Sequence, residues 1–262
     1  MSRLRRILLS LNSLSKALGY ANLYQATKFD YHVQIKKDLA FKKVLVLSPH
    51  PDDDVFGLGG TIKKITSSGT EVTVAYFCDG SGGVEEEKIR NKELIEIRRE
   101  EAKTAGEILG ISEQVFFGYH DGKLAAGSAA VRALRELIER VRPDIIFVPH
   151  FCDNHSDHRV VNEILFNSLS VCPSTSLRTD LTIWAYEIWS PLISNRIVDI
   201  NSEIDLKKKA IAAQKSQLKT RGYDKAICGL NQYRAEINNL SGFAEAFFAA
   251  SPKIYRELYR KS

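Results

Sequence analysis

The sequence predicts an α/β fold in a single domain, a mostly parallel sheet with helices on both faces. Two observations predict it. From Lys43 onward, short apolar runs alternate with segments of helical length, and repeated strand–helix units imply right-handed crossovers and a parallel sheet. The runs are also continuous rather than alternating, as in Lys43–Ser48 (KVLVLS) and Asp144–Val148 (DIIFV), which suits strands buried on both faces. The implied architecture is Rossmann-like and doubly wound.

The elements follow in order. Residues 1–42 read as a basic amphipathic extension. Nine Lys/Arg against two acids fall within residues 1–43, and Leu4, Ile7, Leu8, Leu11, Leu14 and Leu18 recur at helical spacing. A signal peptide is not expected here, because Asn12, Ser13 and Ser15 interrupt its short apolar core. Two readings stand for residues 1–20: docking on the enzyme body, or peripheral contact with an anionic membrane surface. Residues 43–262 form the domain proper. Lys43–Ser48 is its first strand, Thr61–Ser68 a short helix, and Glu71–Cys78 the second strand. A glycine-rich loop, Asp79–Val84, leads to a long charged helix, Glu85–Leu109, closed by Gly110. Gln114–Phe117 reads as a strand, Ser128–Arg142 as a helix ending before Pro143, and Asp144–Val148 as a buried strand. Val160–Leu169 is predicted helical, Thr182–Trp189 a strand, and Ile204–Gln217 and Ser241–Phe248 mainly helical.

Composition narrows the function classes. The 262 residues are 44% apolar and 26% charged, an ordinary globular balance. The net charge of +5 favours anionic partners without indicating nucleic acid. Cys78, Cys152, Cys172 and Cys228 form no CxxC pair, so neither a zinc ribbon nor a disulfide scaffold is expected. A reducing setting, the cytoplasm, follows. No apolar run reaches the roughly 20 residues that cross a bilayer.

Two polar clusters carry the chemistry, and each follows an apolar strand. Ser48-Pro49-His50-Pro51-Asp52-Asp53-Asp54 ends the first strand, and His150, Asp153, His155, Asp157 and His158 follow the fourth. A parallel sheet can set the two side by side at its carboxyl edge, where ligands bind at a switch in strand order. Three adjacent aspartates in a crevice need a positive partner. A divalent cation between the clusters would supply it, and His/His/Asp with an open position makes a sensible catalytic zinc site.

The pattern PHPDDD at Pro49–Asp54 with GLGG at Gly57–Gly60, followed by DNHSDH at Asp153–His158, resembles the LmbE-like, PIG-L zinc de-N-acetylase family. Arg98-x-x-Glu101-Ala102 and Asp121-Gly122 extend the likeness, which runs from about Lys43 to about Phe247; Asp54 stands where the family usually has Glu. The resemblance implies one zinc ion per chain on His50, Asp53 and His158, with Asp52 as the general base for a metal-activated water. His155 is expected to stabilise the oxyanion or protonate the leaving amine, and Asp157 to orient a histidine. Arg98 and Asp121 are expected to touch substrate. The implied partner is an N-acetylated sugar conjugate of anionic or lipid-linked character, cleaved to amine and acetate; the oligomeric state is left open.

Rival readings are concrete. Asp52 could cap the following helix through a backbone N–H, Asp153 reads as a turn residue, and His150 as a strand-end residue with no catalytic part. Gly57, Gly59 and Gly60 suit close helix–strand packing better than a phosphate cradle. Trp184, Tyr186 and Trp189 read chiefly as core, with Tyr186 or Trp189 also placed to stack on a sugar. At the level of function the rivals are an amidase for another acyl group, a carbohydrate-binding module without catalysis, and a nucleotide-binding domain. The last lacks a phosphate fingerprint after the first strand.

Overall fold

The computed structural model describes residues 33–82, 91–171 and 177–261. The predicted N-terminal helix, residues 83–84 of the glycine loop, the first residues of the predicted Glu85–Leu109 helix and Cys172 lie outside the described residues. The elements are β1 Gln34–Lys36, β2 Lys43–Ser48, α1 Asp53–Ser67, β3 Glu71–Cys78, α2 Asn91–Leu109, β4 Glu113–Tyr119, α3 Ser128–Val141, β5 Ile145–Pro149, α4 Ser156–Val171, β6 Thr182–Tyr186, β7 Arg196–Asp199, α5 Ile204–Ala213, α6 Lys215–Leu218, α7 Tyr223–Glu236, β8 Ala244–Ala250 and α8 Pro252–Tyr259.

The strands form one sheet in the order β1-β7-β8-β6-β5-β2-β3-β4. All neighbours are parallel except β8, which runs antiparallel to both β6 and β7. Strand order reverses between β2 and β5, so the carboxyl ends of these two strands flank the switch point. The doubly wound α/β architecture is as predicted.

Alternate residues of the central strands feed two cores. Leu45, Leu47, Ile146 and Val148 join one with Leu134, Ile138, Ile164 and Tyr255 of α3, α4 and α8. Val44, Val46, Ile145 and Phe147 join the other with Ile62, Ala105, Ile211 and Ile227 of α1, α2, α5 and α7. Burial on both faces is why the strand sequences are unbroken apolar runs.

One predicted element is of the wrong type. Ser241–Phe248 reads as helix because it is rich in alanine with a glutamate, yet Ala244–Ala250 is a strand between β6 and β7, with Ala244, Phe247 and even Glu245 wholly buried. Cross-strand pairing overrides a weak helical preference there. The predicted 182–189 strand also stops at Tyr186, and α1 begins at Asp53 rather than near Thr61. The sheet's edge strand, Gln34–Lys36, lies upstream of Lys43 and pairs with β7.

Helix α1 positions the site, and it is broken. Leu58 has non-helical dihedrals (φ −145°, ψ 23°). At such a break backbone donors need other acceptors, and the buried Glu245 carboxylate accepts from Gly60 N at 2.8 Å and Thr61 N at 2.7 Å. The glycines let this bent helix press on the sheet. A Cβ on Gly57 would lie 2.4 Å from Tyr186 Cδ2, and one on Gly60 2.6 Å from Ile200 Cδ1. Tyr186 is fully buried and donates its hydroxyl to Leu47 O at 2.8 Å, so it has nowhere to retreat. We expect Gly57→Ala to destabilise the protein by about 1–3 kcal/mol through overpacking, read from urea unfolding midpoints; unchanged stability would show that the helix can slide.

Candidate active site and metal centre

The loop after β2 and the loop after β5 converge at the switch point. His50 lies just past β2, Asp52 occupies the N-cap position of α1, and Asp53 and Asp54 open its first turn. His155 precedes α4, and Asp157 and His158 sit in that helix's first turn. Except for His155, all these groups are buried.

The three aspartates have separate environments. Asp53 turns inward: its Oδ2 accepts from His50 N at 2.8 Å and lies 3.0 Å from His50 Nδ1 and 3.2 Å from His158 Nε2. Burial would raise its carboxyl, but the His158 and His50 imidazoles hold it well below the usual range. Asp52 makes no side-chain capping bond. Its Oδ1 instead accepts from Arg98 Nη2 at 3.1 Å. Burial raises the Asp52 carboxyl and the neighbouring Asp53 charge adds to this, with Arg98 opposing. Asp54 points away from the cleft, accepting from Tyr76 Oη at 3.0 Å. Burial pushes it up to about 7, helped by the charges of Asp52 and Asp53.

The histidines supply the countercharge. His158 is fully buried, 3.2 Å from Asp53 and, through Nδ1, 3.4 Å from Asp153. Burial disfavours its charged form, but Asp53 outweighs this and holds the group near 9. His50 Nε2 stands 3.3 Å from both Asp121 Oδ1 and Asp157 Oδ2; burial is again overcome by Asp53, and the ring is held well above its ordinary value. His155 behaves otherwise: burial, then the His50 and His158 charges, lower it. Its Nδ1 accepts from Asp157 N at 3.3 Å, which leaves the proton of the neutral ring on Nε2.

The donors fit a cation. Ring nitrogens of His50, His155 and His158 lie within 4.8 Å of one another, and the Asp53 oxygen stands between two of these rings. Both nitrogens of His158 are buried and lack an aligned hydrogen bond. Such unspent buried donors are what a metal ligand with a loosely held carboxylate behind it looks like. Imidazole with carboxylate suits a divalent transition ion such as zinc.

Among residues expected to touch substrate, Arg98 is only 3% exposed. Its Nη1 donates to Gly80 O and Gly82 O, each at 3.2 Å, and its Nη2 to Asp52. On this geometry Arg98 fixes Asp52. Asp121 accepts from Gly82 N at 3.2 Å, and His50 with Arg98 outweighs its burial and lowers it to about 2. Asp157 accepts from Gly122 N at 2.9 Å beside His50.

Two site residues escape the sequence reading. Asp153 is a buried hub, not merely a turn: Oδ1 accepts from His155 N at 2.8 Å and faces His158, while Oδ2 accepts from Trp189 N at 3.1 Å. Its place in DNHSDH, two residues before one histidine and five before another, was the available signal. Cys78, the last residue of β3, lies with His50 and Asp157 in a second donor group; burial pushes its thiol up to about 11. His150 is buried and burial lowers it to about 4, so it is a neutral strand-end ring stacked on Phe151.

A protein-family model described as "PIG-L: GlcNAc-PI de-N-acetylase" matches residues 45–169. The chain is 32% identical over 187 residues to a diacetylchitobiose deacetylase of Thermococcus kodakarensis, covering 67% of this chain and 70% of that protein. It is 34% identical over 139 residues to a Bacillus cereus protein named "Probable N-acetyl-alpha-D-glucosaminyl L-malate deacetylase 2", covering 50% of this chain and 63% of the other. Among solved structures, N,N'-diacetylchitobiose deacetylase from Pyrococcus horikoshii, complexed with its inhibitor MPG, aligns with a TM-score of 0.74 at 27% identity, over 82% of this chain and 86% of that one.

Proposed function

The chain belongs to the PIG-L family of GlcNAc-PI de-N-acetylases, and from that premise we propose that it hydrolyses the acetamide of an N-acetylglucosaminyl-type conjugate, with one zinc ion and Asp52 as general base. The observation that carries the reading is the pair of buried His158 nitrogens without aligned hydrogen bonds, beside Asp53 and His50. His50, Asp53 and His158 would hold the ion. When bound, it supplies Lewis acidity towards water and towards an amide carbonyl.

The remaining steps belong to side chains. Asp52, held by Arg98, takes a proton from water as the water oxygen attacks the acetyl carbon, and its raised affinity for protons favours that role. The neutral His155, with Nε2–H free to donate, stabilises the developing oxyanion. The C–N bond then breaks, the proton collected by Asp52 passes to the leaving nitrogen, and the products are acetate and a free amine. Asp157 and Asp153 orient His50 and His158 as positioning residues.

Metal-replete protein incubated with N-acetylglucosaminyl conjugates is expected to release free amine. Treatment with a chelator should lower turnover by at least about 100-fold, in keeping with loss of the Lewis acid, and stoichiometric zinc should restore it. Metal content by elemental analysis gives an independent reading. Full activity in metal-free protein would overturn the proposal.

A further inference from the structure

The turn after β6 places a large aromatic ring at the mouth of the site. Its frame is rigid: Arg234 donates to the Glu187 carboxylate from Nε at 2.8 Å and to Leu192 O at 2.8 Å, all within buried surroundings. Trp189 in that turn is nonetheless 38% exposed. Its backbone N–H is tied to Asp153, the same carboxylate that faces His158. The indole lies 6.4 Å from the His155 ring at 26° to it, and Tyr223 meets it edge-on at 5.6 Å. An exposed indole held this firmly next to a polar cleft is a platform, not core.

A cation also stands over the indole. The Arg221 guanidinium lies 5.7 Å from the Trp189 ring centre, is exposed, and has no ion-pair partner among the described residues. The segment from Lys215 to Lys225 exposes Lys215, Lys219, Arg221 and Lys225 against a single acid, Asp224. Arg221 is thus the member of a basic segment that reaches the indole. Tyr223, edge-on to the same indole, feels the charges of Arg221 and of Asp52 and Asp53, so Arg221 and the aspartates act within reach of one ring.

We infer that Trp189 and Arg221 form a subsite for the far part of the substrate: the pyranose lies against the indole, and Arg221 binds a carboxylate or phosphate on the group attached to the sugar. This rests on the deacetylase reading above. With the acetamide at Asp52 and His155, the linked group extends past Trp189 towards Arg221. A neutral group gains nothing from that cation, whereas a carboxylate or phosphate matches the guanidinium fork. The subsite thus selects an anionic conjugate over a neutral oligosaccharide.

The test compares N,N'-diacetylchitobiose with N-acetylglucosaminyl malate and N-acetylglucosamine 1-phosphate. Arg221→Ala should raise KM for the two anionic probes roughly 10–100-fold, the range of a charged hydrogen bond, with kcat and the neutral probe within about twofold, since the acetamide end is untouched. Trp189→Ala should raise KM for all three. Presenting the same sugar phosphate on a lipid in phosphatidylcholine vesicles separates the sources: turnover of the soluble probe assigns a free conjugate, and turnover on vesicles alone a lipid headgroup. Binding is also read without catalysis. In Asp52→Asn, N-acetylglucosamine 1-phosphate should quench tryptophan emission, and the quenching should vanish in Asp52→Asn/Arg221→Ala and in Asp52→Asn/Trp189→Phe. Equal effects of Arg221→Ala on neutral and anionic probes, or undiminished quenching without Arg221, would overturn the subsite. Quenching without turnover of any probe by wild type would sink the deacetylase reading instead.

Discussion

Asp52→Asn is expected to lower kcat by about 10²–10⁴-fold, the span of a positioned general base, while zinc content and KM stay close to those of wild type. The carboxamide matches the carboxylate in shape, and its oxygen can still accept from Arg98 Nη2, 3.1 Å away in the parent. The proposed ligands His50, Asp53 and His158 keep their places. What is lost is a group that can take a proton. The competing role, capping the helix, is already weakened because Asp52 stands at the N-cap of α1 without a side-chain capping bond. If Asp52 acted only as a structural anchor for Arg98, the variant would turn over near the wild-type rate with a shifted unfolding midpoint, and the base would have to be sought elsewhere.

The comparison of Asp52 with its two neighbours shows what a sequence can and cannot reveal. Three aspartates in a row after an apolar strand demand positive charge, and the two-cluster pattern sets the β2 and β5 ends side by side, where the structure brings His50 and His158 against Asp53. Which aspartate faces which partner depends on contacts remote in the chain. Arg98 reaches Asp52 across 46 residues, and Tyr76 takes Asp54 out of the cleft from β3. Asp153 looks like a turn residue locally, because its use as a hub requires Trp189, 36 residues on. The same holds for the fold. Strands buried on both faces announce themselves through unbroken apolar runs, but β1 and β7 have three and four residues, too few for a period. The β8 segment carries local helical composition and becomes a strand only because β6 and β7 leave a place between them.

Lys207 makes the sharpest case of a residue whose weight is invisible locally. It is one of three consecutive lysines in α5, where a solvated face is the ordinary reading. Lys208 and Lys209 fit that reading better, yet Lys207 is 0% exposed. Its Nζ donates to Glu245 Oε1 at 2.6 Å, Asn231 Oδ1 at 2.8 Å and Phe56 O at 3.1 Å. All three protons are used, and Glu245 passes the connection on to Gly60 and Thr61. The ion pair therefore spans the break in α1, touching the backbone before and after Leu58. Lys207→Met is expected to cost about 3–5 kcal/mol, because it leaves the Glu245 charge buried and unpaired. Glu245→Gln should fall in the same range for the converse reason. The double variant should be less harmful than the sum of the two by about 0.5–3 kcal/mol, since the pair couples directly. Urea denaturation of the four proteins measures all three quantities. Because α1 starts with Asp53, a ligand of the proposed zinc ion, loosening the break should also weaken binding of added zinc by the folded protein, seen by titration below the unfolding range. Single variants that each cost under about 1 kcal/mol, the typical limit for a surface pair, would mean that the bent helix holds its shape without the buried charges.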